Sequence, residues 1–279
     1  MVSSSRRPGW IFDPNDPRAP SAEVWERMTD RERARVVATL PSEFEPTEAC
    51  PPEGDIHSDV VYGARDALRT YFRKLRRKIY IAANIAVYYP GERMFSPDVV
   101  AVLDVEDRPR NSWIVGAEGK GLNLCIEVSW LGRRAKDFVE NVERYARLGI
   151  GEYFLCDLRR LELKGYRLGG EPGVHTSLLP KARRMHSEVL DLDLAIDGQR
   201  LRFFHGSAAI PYADELIARL DAAVEEAGKH AQAEAERAQA EAERAQAEAE
   251  RAQAEAERAQ DAERRLAEAL AELEALKRR

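Results

Sequence analysis

Along residues 55–205 the spacing of apolar positions changes several times, and each change marks an element. From Ser58 to about Lys78, Val61, Leu68, Phe72, Leu75 and Ile79 recur at intervals of three, four and seven, which predicts a helix with one buried face. Ile79 to Tyr89 is a β-branched and aromatic run closed by Pro90-Gly91, and it predicts one strand. Two more strands are predicted at Pro97-Asp98-Val99-Val100-Ala101-Val102 and at Leu122 to Val128, joined by a long loop from Glu106 to Gly121 that holds Trp113 and Lys120. Helical spacing returns at Phe138, Val142, Tyr145 and Leu148 and ends at Gly149, before a last clear strand from Glu152 to Asp157. The order is helix, three strands, helix, strand, which predicts an α/β fold. Short strands around Gly165 to Leu168 and from Leu192 to Phe204 extend the sheet or wrap it.

The flanks read differently. Residues 1–22 are rich in Ser, Arg and Pro and predict a loose arm, Ser21 to Thr39 predicts a short helix, and Pro41 to Pro52 a loop. From Ala231 the chain repeats Ala-Gln-Ala-Glu-Ala-Glu-Arg every seven residues, with Arg237, Arg244, Arg251 and Arg258 in register. Alanine is the best helix former, and Glu234–Arg237 and its three equivalents fall at i,i+3, so one long helix is predicted. Its seam runs through Ala235, Ala238, Ala242 and onward to Leu266, Leu270 and Leu273, the spacing of a left-handed coiled coil, although Glu263 interrupts it. The predicted organisation is an arm and short helix over 1–54, a folded domain over 55–210 and a long helix over 211–279. The last is read as a self-association stalk making the protein a homo-oligomer.

Charge sharpens that division. Residues 211–279 hold 18 acids against 11 lysines and arginines, so the chain's net charge of −6 resides in the tail and the body is close to neutral. A neutral body neither demands nor forbids a polyanionic partner. Cys50, Cys125 and Cys156 lack metal-ligand spacing and read as reduced buried thiols of a cytoplasmic protein. His175 and His186 read as surface residues. No apolar run reaches the ~20 residues of a membrane span, so no membrane partner is expected.

The candidate chemistry sits on the second and third strands. Asp98 opens one and Glu127 lies near the end of the other; antiparallel pairing would place the two carboxylates side by side. Carboxylates at the ends of apolar strands are costly to desolvate without a positive group between them, and a hard divalent cation suits them. The bland alternative is that both acids are solvated strand ends. A second candidate is basic: Arg69, Arg73, Lys74, Arg76, Arg77 and Lys78 fall at the end of the first helix with no acid among them. Arg73, Lys74, Arg76 and Arg77 could contact a phosphate backbone, or could simply be a solvated face near a helix C-terminus.

Taken together, Pro97-Asp98, Glu127-Val128-Ser129, Asp137, Tyr145, Gly149 and Glu152-Tyr153-Phe154 with Asp157 resemble the Uma-type restriction endonucleases, a bacterial branch of the PD-(D/E)XK nuclease superfamily. The resemblance covers about residues 55–205. It implies a restriction-endonuclease-like core with a mixed central sheet flanked by helices, Asp98 and Glu127 as ligands of Mg²⁺ or Mn²⁺, and hydrolysis of DNA phosphodiesters. The superfamily's lysine two residues after the second acid is replaced here by Ser129. Relatives in this branch often carry a lysine four residues after the Asp matching Asp137, where this chain has Asn141. Lys136 and Lys120 are the remaining lysines that could substitute. The resemblance thus supports a metal-dependent DNA endonuclease, while the missing lysine supports a nuclease-derived binding or assembly module multimerised by its coiled coil.

Overall fold

The structure, a computed structural model, describes residues 10–42, 54–130 and 135–277, and the side chains of 135–139 and 272–277 are outside it. In chain order the helices and strands are α1 (Ala22–Arg27), α2 (Asp30–Thr39), α3 (Asp55–Lys74), β1 (Ile79–Ala83), β2 (Ala86–Tyr88), β3 (Val99–Leu103), β4 (Ser112–Ile114), α4 (Val115–Glu118) and β5 (Leu124–Ser129). They continue as α5 (Ala135–Arg147), β6 (Glu152–Asp157), β7 (Glu162–Leu168), β8 (His175–Ser177), β9 (Met185–Ser187), β10 (Leu192–Asp197), β11 (Arg200–His205), β12 (Ala208–Ala209) and α6 (Ala213–Lys277). The chain divides into two compact units, Met1–Ala213 and Asp214–Arg279.

The central sheet of the first unit has the order β1-β3-β5-β6-β7-β8. All neighbours are antiparallel except β5 and β6, which are parallel and connected through α5, so the sheet is mixed. Both faces are covered, which is why β3 and β5 read as unbroken apolar runs. On one face Val61, Ala64, Leu68 and Phe72 of α3 pack against Ile81, Val99, Ala101 and Ile126. On the other, Tyr145 of α5 joins Tyr80, Val100, Cys125 and Tyr153. Cys125 and Cys156 are free and buried, and burial pushes the Cys156 thiol up to about 12; Cys50 lies outside the described residues.

Several expectations change at this level. The run from Ile79 to Tyr89 is not one strand. It breaks at Asn84, which takes a left-handed conformation with φ 51°, and β2 leaves the sheet to pair in parallel with β4. Asn tolerates that conformation better than most residues, so the break is written into Asn84 but hidden by the apolar run around it. The loop from Glu106 to Gly121 contains β4 and α4. The described part of the arm, from Trp10, is docked: Met94 N donates to Pro17 O, and Ala19 is buried. Two helices, α1 and α2, replace the single one predicted after it, the second starting on a reciprocal Thr29–Glu32 cap. The strands after β8 form a separate four-stranded sheet, β12-β11-β10-β9.

The second unit is formed by α6 from Asp214 onward; the helix has 65 continuous residues and so is roughly 98 Å long at ~1.5 Å per residue. Among the described residues its repeats are tied by Gln232–Glu236, Gln239–Glu243 and Gln246–Glu250 hydrogen bonds at i,i+4, rather than by the Glu–Arg pairs at i,i+3 expected from the sequence. Ile217, Leu220, Val224, Leu266 and Leu270 are exposed along it.

Candidate active site

β3 and β5 pair antiparallel with Val99 opposite Ile126, which brings Asp98 across from Glu127 at one end of the sheet. The backbone there is pinned, because Asn84 N donates to Asp98 O at 3.1 Å. Asp98 Oδ2 accepts the Val128 N–H at 2.7 Å and lies 3.2 Å from His57 Nε2, in the first turn of α3. Only about an eighth of each of the Asp98 and His57 side chains is exposed, at 13% and 14%. Glu127 is buried, and its Oε1 accepts a hydrogen bond from Tyr145 Oη at 2.7 Å.

The two carboxyl groups face each other across the β3–β5 pair. Burial, and then the Asp98 charge, push the Glu127 carboxyl well above the usual range, while the Tyr145 hydrogen bond acts the other way. Tyr145 is itself pushed up by burial and by Glu127, so its hydroxyl stays protonated and donates. Two crowded carboxylates are the kind of pair that would gain from a divalent cation between them. The donor set fits Mg²⁺ or Mn²⁺: hard oxygens, few of them from the protein, with coordination left for water and phosphate. No cluster of three or more metal-ligating side chains occurs among the described residues.

The model of the family described as Uma2, "Putative restriction endonuclease", matches residues 45–199. The chain belongs to this family. Among solved structures, one titled as a "putative nuclease belonging to DUF820" from Anabaena variabilis ATCC 29413 is 15% identical, covers 59% of this chain and 95% of that one, and has a TM-score of 0.44. No curated protein matches the chain.

At the two positions where the resemblance implied a lysine, the chain carries Ser129 and Asn141. Ser129 is buried two residues beyond Glu127 on the same face of β5 and carries no charge. Lys120 does not reach the site: its Nζ donates to Leu103 O at 2.6 Å, at the far end of β3 and roughly 16 Å from Asp98 at ~3.3 Å per residue. Asn141 lies one helical turn before Tyr145 on α5, half-buried and on the same side of the helix. The Lys136 side chain lies outside the described residues. Asp157 caps its own turn, accepting from the N–H groups of Arg159 and Arg160. Glu152, at the opposite end of β6, is a buried anchor for Arg167, Ser187 and the 188–189 backbone.

The basic candidates separate as well. α3 ends at Lys74, so Arg76 and Arg77 lie beyond it, Arg76 in a left-handed conformation with φ 52°. Arg77 is a structural tether and not a free cation, its guanidinium donating to Leu190 O and Val189 O at 2.9 Å each. Arg73 and Arg69 approach Asp107, an acid invisible to a reading of the helix alone. Arg73 and Lys74 are exposed, about 24 Å along the helix from His57 at ~1.5 Å per residue. His175 Nε2 meets Ile150 O, and His186 pairs with Asp193. The site residues that sequence reasoning missed are His57, which carries no motif, and the hydroxyl of Tyr145, whose spacing announced only an apolar helix face.

Proposed function

We propose that this chain is a metal-dependent DNA endonuclease in which Asp98 and Glu127 hold Mg²⁺ or Mn²⁺ against a scissile phosphodiester. The observation that carries the reading is the pair of carboxyls facing each other across β3 and β5, Glu127 buried and Asp98 nearly so, each held by a second group: Asp98 by the Val128 N–H and His57, Glu127 by Tyr145. A bound divalent cation supplies Lewis-acid polarisation of a phosphoryl oxygen and a water of lowered pKa. The protein's own residues supply orientation. Val128 N–H and His57 fix the Asp98 carboxylate, Tyr145 fixes Oε1 of Glu127, and the burial of Glu127 keeps bulk water away from it. Ser129 offers the neighbouring hydroxyl but no charge.

Purified protein incubated with plasmid and linear DNA in Mg²⁺, Mn²⁺ or EDTA tests this directly. The expected result is metal-dependent cutting that Asp98→Ala and Glu127→Ala each abolish. A second reading, a nuclease-derived module that binds nucleic acid without turnover, is favoured by the placement of Lys120 away from the carboxylates and by Ser129 in the lysine position. A folded protein that binds DNA and leaves it uncut under both metals would select it. In either case α6, with Leu220, Val224, Leu266 and Leu270 exposed along a mostly alanine seam, suits self-association into a coiled coil.

A further inference from the structure

β1 is the outermost strand of the central sheet: β3 covers one of its edges, and no described strand pairs with the other. Two cavities lie along that open edge and share Arg69. One, of about 320 Å³, adjoins Ala83 and Asn84 and is walled by Arg65 of α3 on one side and Arg108 on the other. The other, of about 380 Å³, adjoins Lys78 and Ile79 and is walled by Arg73 and Arg76. From Lys78 to Asn84 they form a trench about 20 Å long at ~3.3 Å per residue. One end of it is fixed at the candidate site, since Asn84 N donates to Asp98 O.

The trench contains acids, and their arrangement matters. Asp66 pairs with Arg65, Asp107 with Arg69 and Arg73, and Glu118 with Arg108 and Arg110; Glu106 also lines the wall. Arg110, whose side chain is 4% exposed, is bidentate to Glu118 and lies over Tyr80 and Trp113, which makes it part of the wall. The side chains of Arg73 and Arg108 are 69% and 56% exposed, and ion pairs at such exposure exchange readily for another anion. At the site end Tyr62 is exposed, with the Arg65 guanidinium 4.9 Å from its ring centroid and Asn84 Nδ2 3.5 Å from its hydroxyl. An open ring beside a guanidinium and a run of arginines is the combination that holds a polynucleotide, stacking for bases and charge for phosphates.

We propose that this trench is the track of the nucleic-acid backbone, which reaches the carboxylate pair at Asn84 with Tyr62 as a stacking platform. The proposal rests on the nuclease reading and places its substrate along the β1 edge, not on the tip of α3 alone. A length of 20 Å spans about six phosphates of one strand at ~3.4 Å each.

Fluorescence anisotropy tests it, with fluorescein-labelled single- and double-stranded 20-mers titrated in EDTA at 50–200 mM KCl. Arg65→Gln/Arg108→Gln is expected to weaken binding at least tenfold and to lower the slope of log K against log salt by about two. Arg65→Lys/Arg108→Lys should recover the slope, Tyr62→Ala should weaken the single strand most, and the distant Arg183→Gln should change nothing. Mn²⁺ affinity, read by electron paramagnetic resonance, should be the same in all of them. A folded double Gln variant with wild-type affinity and slope overturns the proposal. So does a labelled polyglutamate peptide that needs Arg65 and Arg108 and is not displaced by DNA, since an extended acidic chain would then be the strand's occupant. Intact DNA binding of this pattern without cutting removes the nuclease reading and leaves the trench; cutting with binding untouched by the double variant removes only the trench.

Discussion

Glu127 is the residue on which stability and function pull in opposite directions. Its carboxyl is buried against Asp98, and its pKa in the folded chain lies above the unfolded value. Without metal, the folded state therefore holds a proton the unfolded state releases, so stability is fully present below the ordinary carboxylate value of 4.5 and falls as pH rises from there through the folded pKa. Glu127→Gln keeps an acceptor for Tyr145 and removes the charge. Metal-free thermal melts from pH 4 to 8 should decline for the native chain and stay flatter for this variant, which at neutral pH gains on the order of 1 kcal/mol while losing all metal-dependent cutting. Tyr145 and His57 are positioning residues at the same scale. Tyr145→Phe and His57→Ala should each reduce Mn²⁺ affinity roughly 10–100-fold, as loss of a group that orients a metal ligand does, with His57→Gln restoring much of it through its amide N–H. Mn²⁺ affinity unchanged in a folded His57→Ala protein would reduce that histidine to packing.

At the scale of elements, polar anchors decide which segments stay together. Glu152 is 1% exposed at the start of β6 and receives Arg167, the Ser187 hydroxyl and the N–H groups of Glu188 and Val189, thereby fastening the end of β9 to the central sheet. Glu152→Ala leaves those donors without their shared acceptor and should cost about 3–5 kcal/mol in urea unfolding. Such a loss, with the carboxylate pair untouched, would mark Glu152 as structural although it belongs to the motif by which the family resemblance was read. Gly63 serves a similar end: a Cβ there would run into the Tyr212 ring, so α3 approaches the end of the first unit at a position without a side chain.

At the scale of the molecule, the chain joins a folded unit with a mixed sheet to a single helix that has no core of its own. The exposed stripe of Ile217, Leu220 and Val224 continues through Ala227 and Ala231 to Ala235, and the two successive steps of four around Ala231 locally shift the seam before the strict seven-residue repeat begins. Alanine knobs bury little area, so self-association is expected to depend on the leucines and to be sensitive to dilution. A chain ending at Ala213 should migrate as a monomer in light-scattering chromatography, where the full chain is an oligomer, and should retain metal binding. An unchanged mass would locate self-association in the first unit.

The sequence by itself determined the main helices and strands between α3 and β6, the long helix and the facing of the two carboxylates, because these follow from local period and from strand alternation. Asp98 and Glu127 were legible since an acid at each end of two apolar strands can meet in only one antiparallel register. Tertiary structure alone decided what surrounds them. His57 reaches Asp98 from a helix some forty residues earlier, and Tyr145 shows an apolar period whether or not its hydroxyl has a partner. Arg77 is absorbed by carbonyls more than a hundred residues away. Lys120 is near in sequence to Glu127 and at the wrong end of β3, because an extended chain carries a side chain away from its neighbours at ~3.3 Å per residue. Period reports which face a residue presents to the core; hydrogen bonds and ion pairs between distant segments have no period, and they appear only when the chain has folded.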